Sequence, residues 1–289
     1  MVKRIFILLV LSLAVTACTL LWLYPQFCGR ECEVLILCYH HIDDTGNDST
    51  AVTQETFDLQ LSLLLSHGYE AISVSDMIDF VYGQKTLPPK CFLITFDDGY
   101  ESNLTLALPV MKKYNVPATV CIIGAFAGSD SYKNTGRPMI PHFSFEEAGR
   151  ASACGLLSFG SHSYDMHMYA PYESGICRPS AVRLQNESEA EFFAALSADH
   201  EAMCALMRTH LGYTPEVFAY PHGLWDPIAE EILKNSGVRV TLTTSAHTNI
   251  LRRGDRECLY LMGRYTICET TDFEAILKCG IHKNQGETQ

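Results

Sequence analysis

With 289 residues, 47% of them hydrophobic and 19% charged, the chain has room for one large domain or two small ones around an ordinary globular core. Its formal net charge is −12, with no long basic run beyond the N-terminus. That balance argues against nucleic acid and anionic polymers as partners and permits a neutral glycan.

The first element is apolar. Lys3 and Arg4 precede an uncharged stretch from Ile5 to Phe27, and about 20 apolar residues suffice to span a bilayer. A basic flank before the span places the chain beyond it outside the cytoplasm. Residues 1–32 are therefore expected to be a membrane anchor or signal segment. Thr19 to Tyr24 stays apolar, which favours an uncleaved single-pass anchor in the cell membrane. A signal peptide cut near Ala17, or a lipoprotein box at Val15-Thr16-Ala17-Cys18, are the alternatives and would give a secreted or lipid-anchored protein. Each reading exports a domain over 33–280, followed by a polar tail at 281–289. Of 12 cysteines, Cys38, Cys91, Cys121 and Cys154 lie in or beside apolar segments and read as core residues. Cys28 and Cys32 are spaced for a local disulfide. No Cys-x-x-Cys occurs, so there is no zinc-ribbon signal.

Beyond the N-terminus, Val34 to Cys38 reads as a strand ending at Tyr39-His40-His41. Thr53 to His67 carries a helical stripe, Phe57, Leu61, Leu64 and Leu65, with Gly68 as its C-cap. Ser75 to Tyr82 reads as a shorter helix. Cys91 to Phe96 is a strand, Asn103 to Tyr114 a helix and Ala118 to Ile123 a strand. Ser144 and Glu147 form a capping box. Leu156 to Phe159 reads as a strand, Ser188 to Leu211 as a long helix and Val217 to Tyr220 as a strand. Asp226-Pro227 opens a helix capped near Gly237. Val238 to Thr243 and Leu259 to Leu261 are predicted strands, and Asp272 to Lys278 a last helix. This alternation implies a parallel sheet with helical crossovers.

Two strand ends carry the chemistry. Ile94-Thr95-Phe96-Asp97-Asp98-Gly99 delivers adjacent carboxylates, which point to opposite sides and need not share a role. Gly160-Ser161-His162-Ser163-Tyr164-Asp165-Met166-His167 comes after a second apolar run. Two histidines and a carboxylate suit Zn²⁺ or a similar ion. Asp98, His162 and His167 would be three protein ligands, leaving a position for water or substrate. Trp225 and Tyr164 are aromatics fit for a sugar platform or for the core.

Thr95-Phe96-Asp97-Asp98-Gly99 with His162-Ser163-x-x-x-His167 after it resembles the polysaccharide deacetylase family (NodB-homology domain, carbohydrate esterase family 4). Leu37-Cys38-Tyr39-His40-His41-Ile42 and Ala219-Tyr220-Pro221-His222-Gly223 make the set similar to the poly-N-acetylglucosamine deacetylase branch. The resemblance covers roughly residues 33 to 280 and implies a distorted (β/α)7 barrel, one divalent metal, most simply zinc, and an N-acetylated polysaccharide substrate. It implies Asp97 as the base and His40 as the acid that protonates the departing amine, with His41, His222 and His247 as alternatives. The family's third motif usually carries an arginine and a tyrosine where Ala219 and His222 stand here. Pro221, His222 and Gly223 are then expected at the substrate, the His222 N–H helping to hold the oxyanion. Arg264 is expected either to replace the missing arginine beside Asp97 or to lie on the surface. Two further functions stay open: a metal-free relative that binds glycan or scaffolds a cell-envelope complex, and a hydrolase of another C–N bond.

Overall fold

The computed structural model describes residues 30–45 and 49–281. The expected membrane anchor, Cys28 with its disulfide, and the tail after residue 281 lie outside the described residues. Among the described residues no helix is long and apolar enough to cross a membrane.

Strand β1 (Glu31–Tyr39) is an apolar run buried on both faces over most of its length, the pattern of a parallel sheet covered on two sides. Helix α1 (Gln54–Ser66) is capped by the Thr53 side chain. A short strand, β2 (Glu70–Ala71), precedes α2 (Val74–Val81), whose Ser73–Asp76 capping box fixes its start. Strand β3 (Cys91–Phe96) is buried at every position. The predicted helix from Asn103 begins as a π-helical turn at Asn103–Ala107 and becomes regular in α3 (Leu108–Tyr114). Next come β4 (Ala118–Ile122), α4 (Phe145–Ser152), β5 (Leu157–Ser161), α5 (Glu189–Leu211), β6 (Val217–Ala219), α6 (Pro227–Asn235) and β7 (Val240–Leu242). Two strands that no periodicity announced, β8 (Asn249–Arg252) and β9 (Tyr265–Thr266), precede α7 (Phe273–Ile281). Leu259 to Leu261 is not a strand. Arg256–Leu259 is a 3₁₀ turn, started by Asp255, which accepts a hydrogen bond from the Glu257 N–H.

The sheet runs β7-β6-β5-β4-β3-β1-β8, all parallel except β8, which is antiparallel to β1. Its ends nearly meet. Met262 bridges Leu242 of β7, and three residues later Tyr265 pairs with Leu37 of β1. Residues 262–266 thus join β1 to β7 as a closing stave, and the result is a distorted (β/α)7 barrel. One core cluster packs α1, α3 and α4 against the sheet, with Phe57, Leu61, Phe96, Met111 and Phe159 at its centre. The C-terminal ends of β1, β3, β5 and β6 open on one mouth, where α/β barrels carry their sites.

Candidate metal centre and its surroundings

The turn after β3 is the first constraint. Asp98 adopts φ 74, a left-handed conformation that non-glycine residues avoid. Ser163 (φ 69) and His222 (φ 57) do the same after β5 and β6. Strained backbone at three strand ends on one mouth is the pattern of a functional site held by its surroundings.

Asp98, His162 and His167 meet there. His162 Nε2 lies 3.4 Å and His167 Nε2 3.9 Å from Asp98 Oδ1. That oxygen is buried and has no hydrogen-bond donor. His162 Nδ1 lies 2.8 Å from the Ala219 carbonyl. It therefore carries the proton, and the Nε2 lone pair faces Asp98. An undonated carboxylate oxygen converging with imidazole nitrogens fits a divalent ion, and these ligand atoms all lie within 4.8 Å of one another.

Asp97 makes a different set of contacts. Its two oxygens receive both terminal nitrogens of Arg264 at 2.7 Å, in a fork-to-fork pair. Both side chains are buried, Arg264 completely. Arg264 also donates to the Thr243 carbonyl and to Thr95 Oγ1. It is not a surface arginine. Burial alone would raise the Asp97 carboxyl, but Arg264 and then His162 outweigh it and hold it well below the usual carboxylate range. The Cys38 thiol lies 3.4 Å from Asp97 Oδ2. Burial pushes that thiol far up, so it stays protonated and donates.

His40 leaves β1 so that a ring nitrogen, the Asp97 carboxylate and the Cys38 sulfur lie within 4.8 Å of one another. Its Nδ1 is buried and has no partner. His41 is turned aside, its Nδ1 2.8 Å from Ser102 Oγ. His247 is exposed and packs over Gly263, beside Arg264.

Pro221 to Gly223 form a 3₁₀ turn after β6. Gly223 (φ 69) cannot be replaced, because an added Cβ would lie 2.0 Å from Thr244 Oγ1 and 2.6 Å from Thr244 N. The His222 ring lies against His167, centroids 4.4 Å apart. Of the two aromatics proposed for a sugar platform, only Trp225 is a surface ring, 45% exposed. Tyr164 packs against the main core, over Gly124. Its ring is partly buried.

The sequence carries no sign of His142. It is buried, lies tilted against Tyr100 with ring centroids 4.6 Å apart, and carries an unpartnered Nδ1. Burial lowers its pKa, and Asp98 and His167 act on it across the mouth. Nothing in Pro141-His142-Phe143 signals this.

Burial pushes His162 down to about 4, against the pull of Asp97 and Asp98. An unfolded histidine titrates near about 6.5. Between these values the folded state binds fewer protons. Stability present above about pH 6.5 is therefore lost as pH falls toward 4. The Tm of metal-free protein is expected to fall across that window, and His162→Gln should flatten part of the slope. Asp199, raised to about 6 by burial, acts in the opposite sense in both proteins and so cancels from their difference. Equal slopes in the two proteins would contradict this origin.

A family model described as polysaccharide deacetylase matches residues 84–241. The chain is 25% identical over 222 residues to the poly-beta-1,6-N-acetyl-D-glucosamine N-deacetylase of Escherichia coli (strain K12), covering 72% of this chain and 33% of that one. It is 26% identical over 191 residues to the protein of that name from Staphylococcus aureus (strain MRSA252), covering 65% and 59%. The chain thus spans a third of the length of the first relative and 59% of the second. Among solved structures, IcaB from Ammonifex degensii aligns with a TM-score of 0.69 at 27% identity, over 86% of this chain and 96% of that one. A de-N-acetylase from Aggregatibacter actinomycetemcomitans shares the fold, with a TM-score of 0.71 at 23% identity over 85% and 99%. With the family model matching more than half of its length, the chain belongs to the polysaccharide deacetylase family.

Proposed function

We propose that this protein removes N-acetyl groups from a polysaccharide containing N-acetylglucosamine, by metal-assisted hydrolysis. The observation that carries this reading is the division of labour at β3. Asp98 converges with His162 and His167 on one point, while Asp97, one residue earlier, is fixed by Arg264 and stays out of that ligand set. The names of the Escherichia coli and Staphylococcus aureus relatives support the substrate class.

Asp98, His162 and His167 would hold the ion, and the nitrogen-rich donor set favours zinc. When bound, the ion polarises the amide carbonyl and acidifies the attacking water, the only kind of water that so weak a base as Asp97 can deprotonate. Arg264 orients the Asp97 carboxylate to receive that proton. His40 stands on the side of Asp97 to protonate the departing amine, and the backbone N–H of His222 is the candidate donor to the oxyanion. Trp225 offers a ring face to a sugar beside it. The domain would act outside the cytoplasmic membrane, attached or exported through its N-terminal segment. Fractionation of cells expressing the full chain checks this.

Zinc analysis combined with acetate release from N-acetylglucosamine oligomers tests the reading. Zinc without acetate from any oligomer would point instead to another C–N substrate. Neither zinc nor acetate would point to a glycan-binding relative. His40→Ala is expected to lower kcat by about 10²-fold or more with metal content unchanged, the usual weight of a general acid. Unaltered turnover in that variant would move the acid role to His41, His222 or His247.

A further inference from the structure

Ser163 to Met166 separate His162 from His167, and every backbone N–H among them has a partner. Ser163 N donates to Ser161 Oγ at 3.1 Å and Met166 N to Ser163 Oγ at 3.0 Å. The two middle groups both donate to one side chain from elsewhere in the fold. Tyr164 N reaches Asp199 Oδ2 at 2.8 Å, and Asp165 N reaches Asp199 Oδ1 at 2.7 Å. Asp199 lies midway along α5 and is 9% exposed. On the other side of the loop, the Ser163 and Tyr164 carbonyls accept from Gly124 N at 3.1 Å and Ala125 N at 2.8 Å. The Asp165 side chain is held in turn by Lys133.

A carboxylate is costly to bury unless its lone pairs are used. Here they are used on two successive amides of the loop that spaces the paired histidines. Remove them, and two N–H groups lose their acceptor, at a place where Ser163 already holds a left-handed backbone. The loop would relax toward ordinary φ, and His167, at its far end, would swing from the point it shares with Asp98 and His162.

We infer that Asp199 is a positioning residue of the metal centre, setting the reach of His167 before any ion arrives. The inference rests on the metal-dependent reading of the site. It predicts a protein already organised for the ion, in which metal affinity depends on a helix residue that touches none of the ligands.

The test is zinc affinity of the full chain, measured by competition with a chromophoric chelator, for the native protein and Asp199→Asn. The amide keeps the shape but offers one acceptor where two are needed. Zinc Kd should rise about 10- to 100-fold, the usual weight of a group that orients a ligand. Activity lost at limiting zinc should return as zinc is added. Met77→Ala, on α2 and buried in a cluster that holds no residue of this loop, should lower Tm and leave zinc Kd in place. Native affinity in folded Asp199→Asn, or an equal loss in Met77→Ala, overturns the inference and leaves the metal reading standing. A native chain that binds no zinc overturns both. Should Asp199→Asn not fold, hydrogen exchange on zinc-free native protein decides. Protected Tyr164 and Asp165 amides support the inference, and exchange at open-loop rates overturns it.

Discussion

Asp97→Asn is expected to keep its metal, lose about 10²- to 10⁴-fold in kcat, and unfold at a lower temperature than the native protein. The rate loss comes from removing the base, whose usual contribution spans that range. The metal stays because Asp97 is not one of the three converging ligands, and its oxygens are bonded to Arg264. The loss of stability has a separate cause. Asparagine leaves the guanidinium of fully buried Arg264 without a counter-charge, and breaking one side of a buried pair typically costs about 3–5 kcal/mol. The double variant Asp97→Asn, Arg264→Met removes the stranded charge. It should recover much of the Tm and none of the turnover. Metal analysis, acetate release and thermal melts on the three proteins check each part. Native turnover in Asp97→Asn would make Asp97 a structural anchor for Arg264 and nothing more.

Asp98→Asn should show the reverse order of loss, metal first and activity with it. Asparagine tolerates the left-handed backbone that Asp98 adopts at φ 74, so the turn survives while the charge is removed. His162→Ala should do the same by a harsher route, since it also strips the Ala219 carbonyl of its imidazole partner. A site with three protein ligands cannot spare one. Zinc stoichiometry by elemental analysis should fall from about one per chain to near zero in both, with acetate release falling in parallel. Full stoichiometry in both variants would mean that the ligands lie elsewhere.

Much of this is legible in the sequence because the information is local. Asp97 and Asp98 announce themselves by position at the end of an apolar strand, and the capping box at Ser144 lies within a single turn. The residues that cannot be read are those whose meaning is made by distance. Arg264 and Asp97 are 167 positions apart. Only closure of the barrel decides between a buried partner and a surface arginine. Asp199 looks like one more polar residue on a long helix until the loop it faces is in place. The Leu259 to Leu261 stretch reads as a strand and is not one, because three short apolar steps do not distinguish a turn under the core from an extended segment. Strands β8 and β9 escape for the opposite reason. They are short, and their pairing with β1 is dictated by the neighbour and not by their own pattern.

The closing stave at residues 262–266 has a consequence for how the protein comes into being. A ribosome delivers Asp97 long before it delivers Arg264. Until the later segment arrives, the carboxylate has no cation to meet it in the interior, and the gap between β7 and β1 stays open. Contacts so remote in sequence are slow to form, because a long chain must be ordered before they repay the entropy. The Asp97 carboxylate is therefore expected to be seated among the last events of folding. A chain interrupted before residue 262 should be inert and prone to proteolysis, and activity should appear only with the final step of assembly.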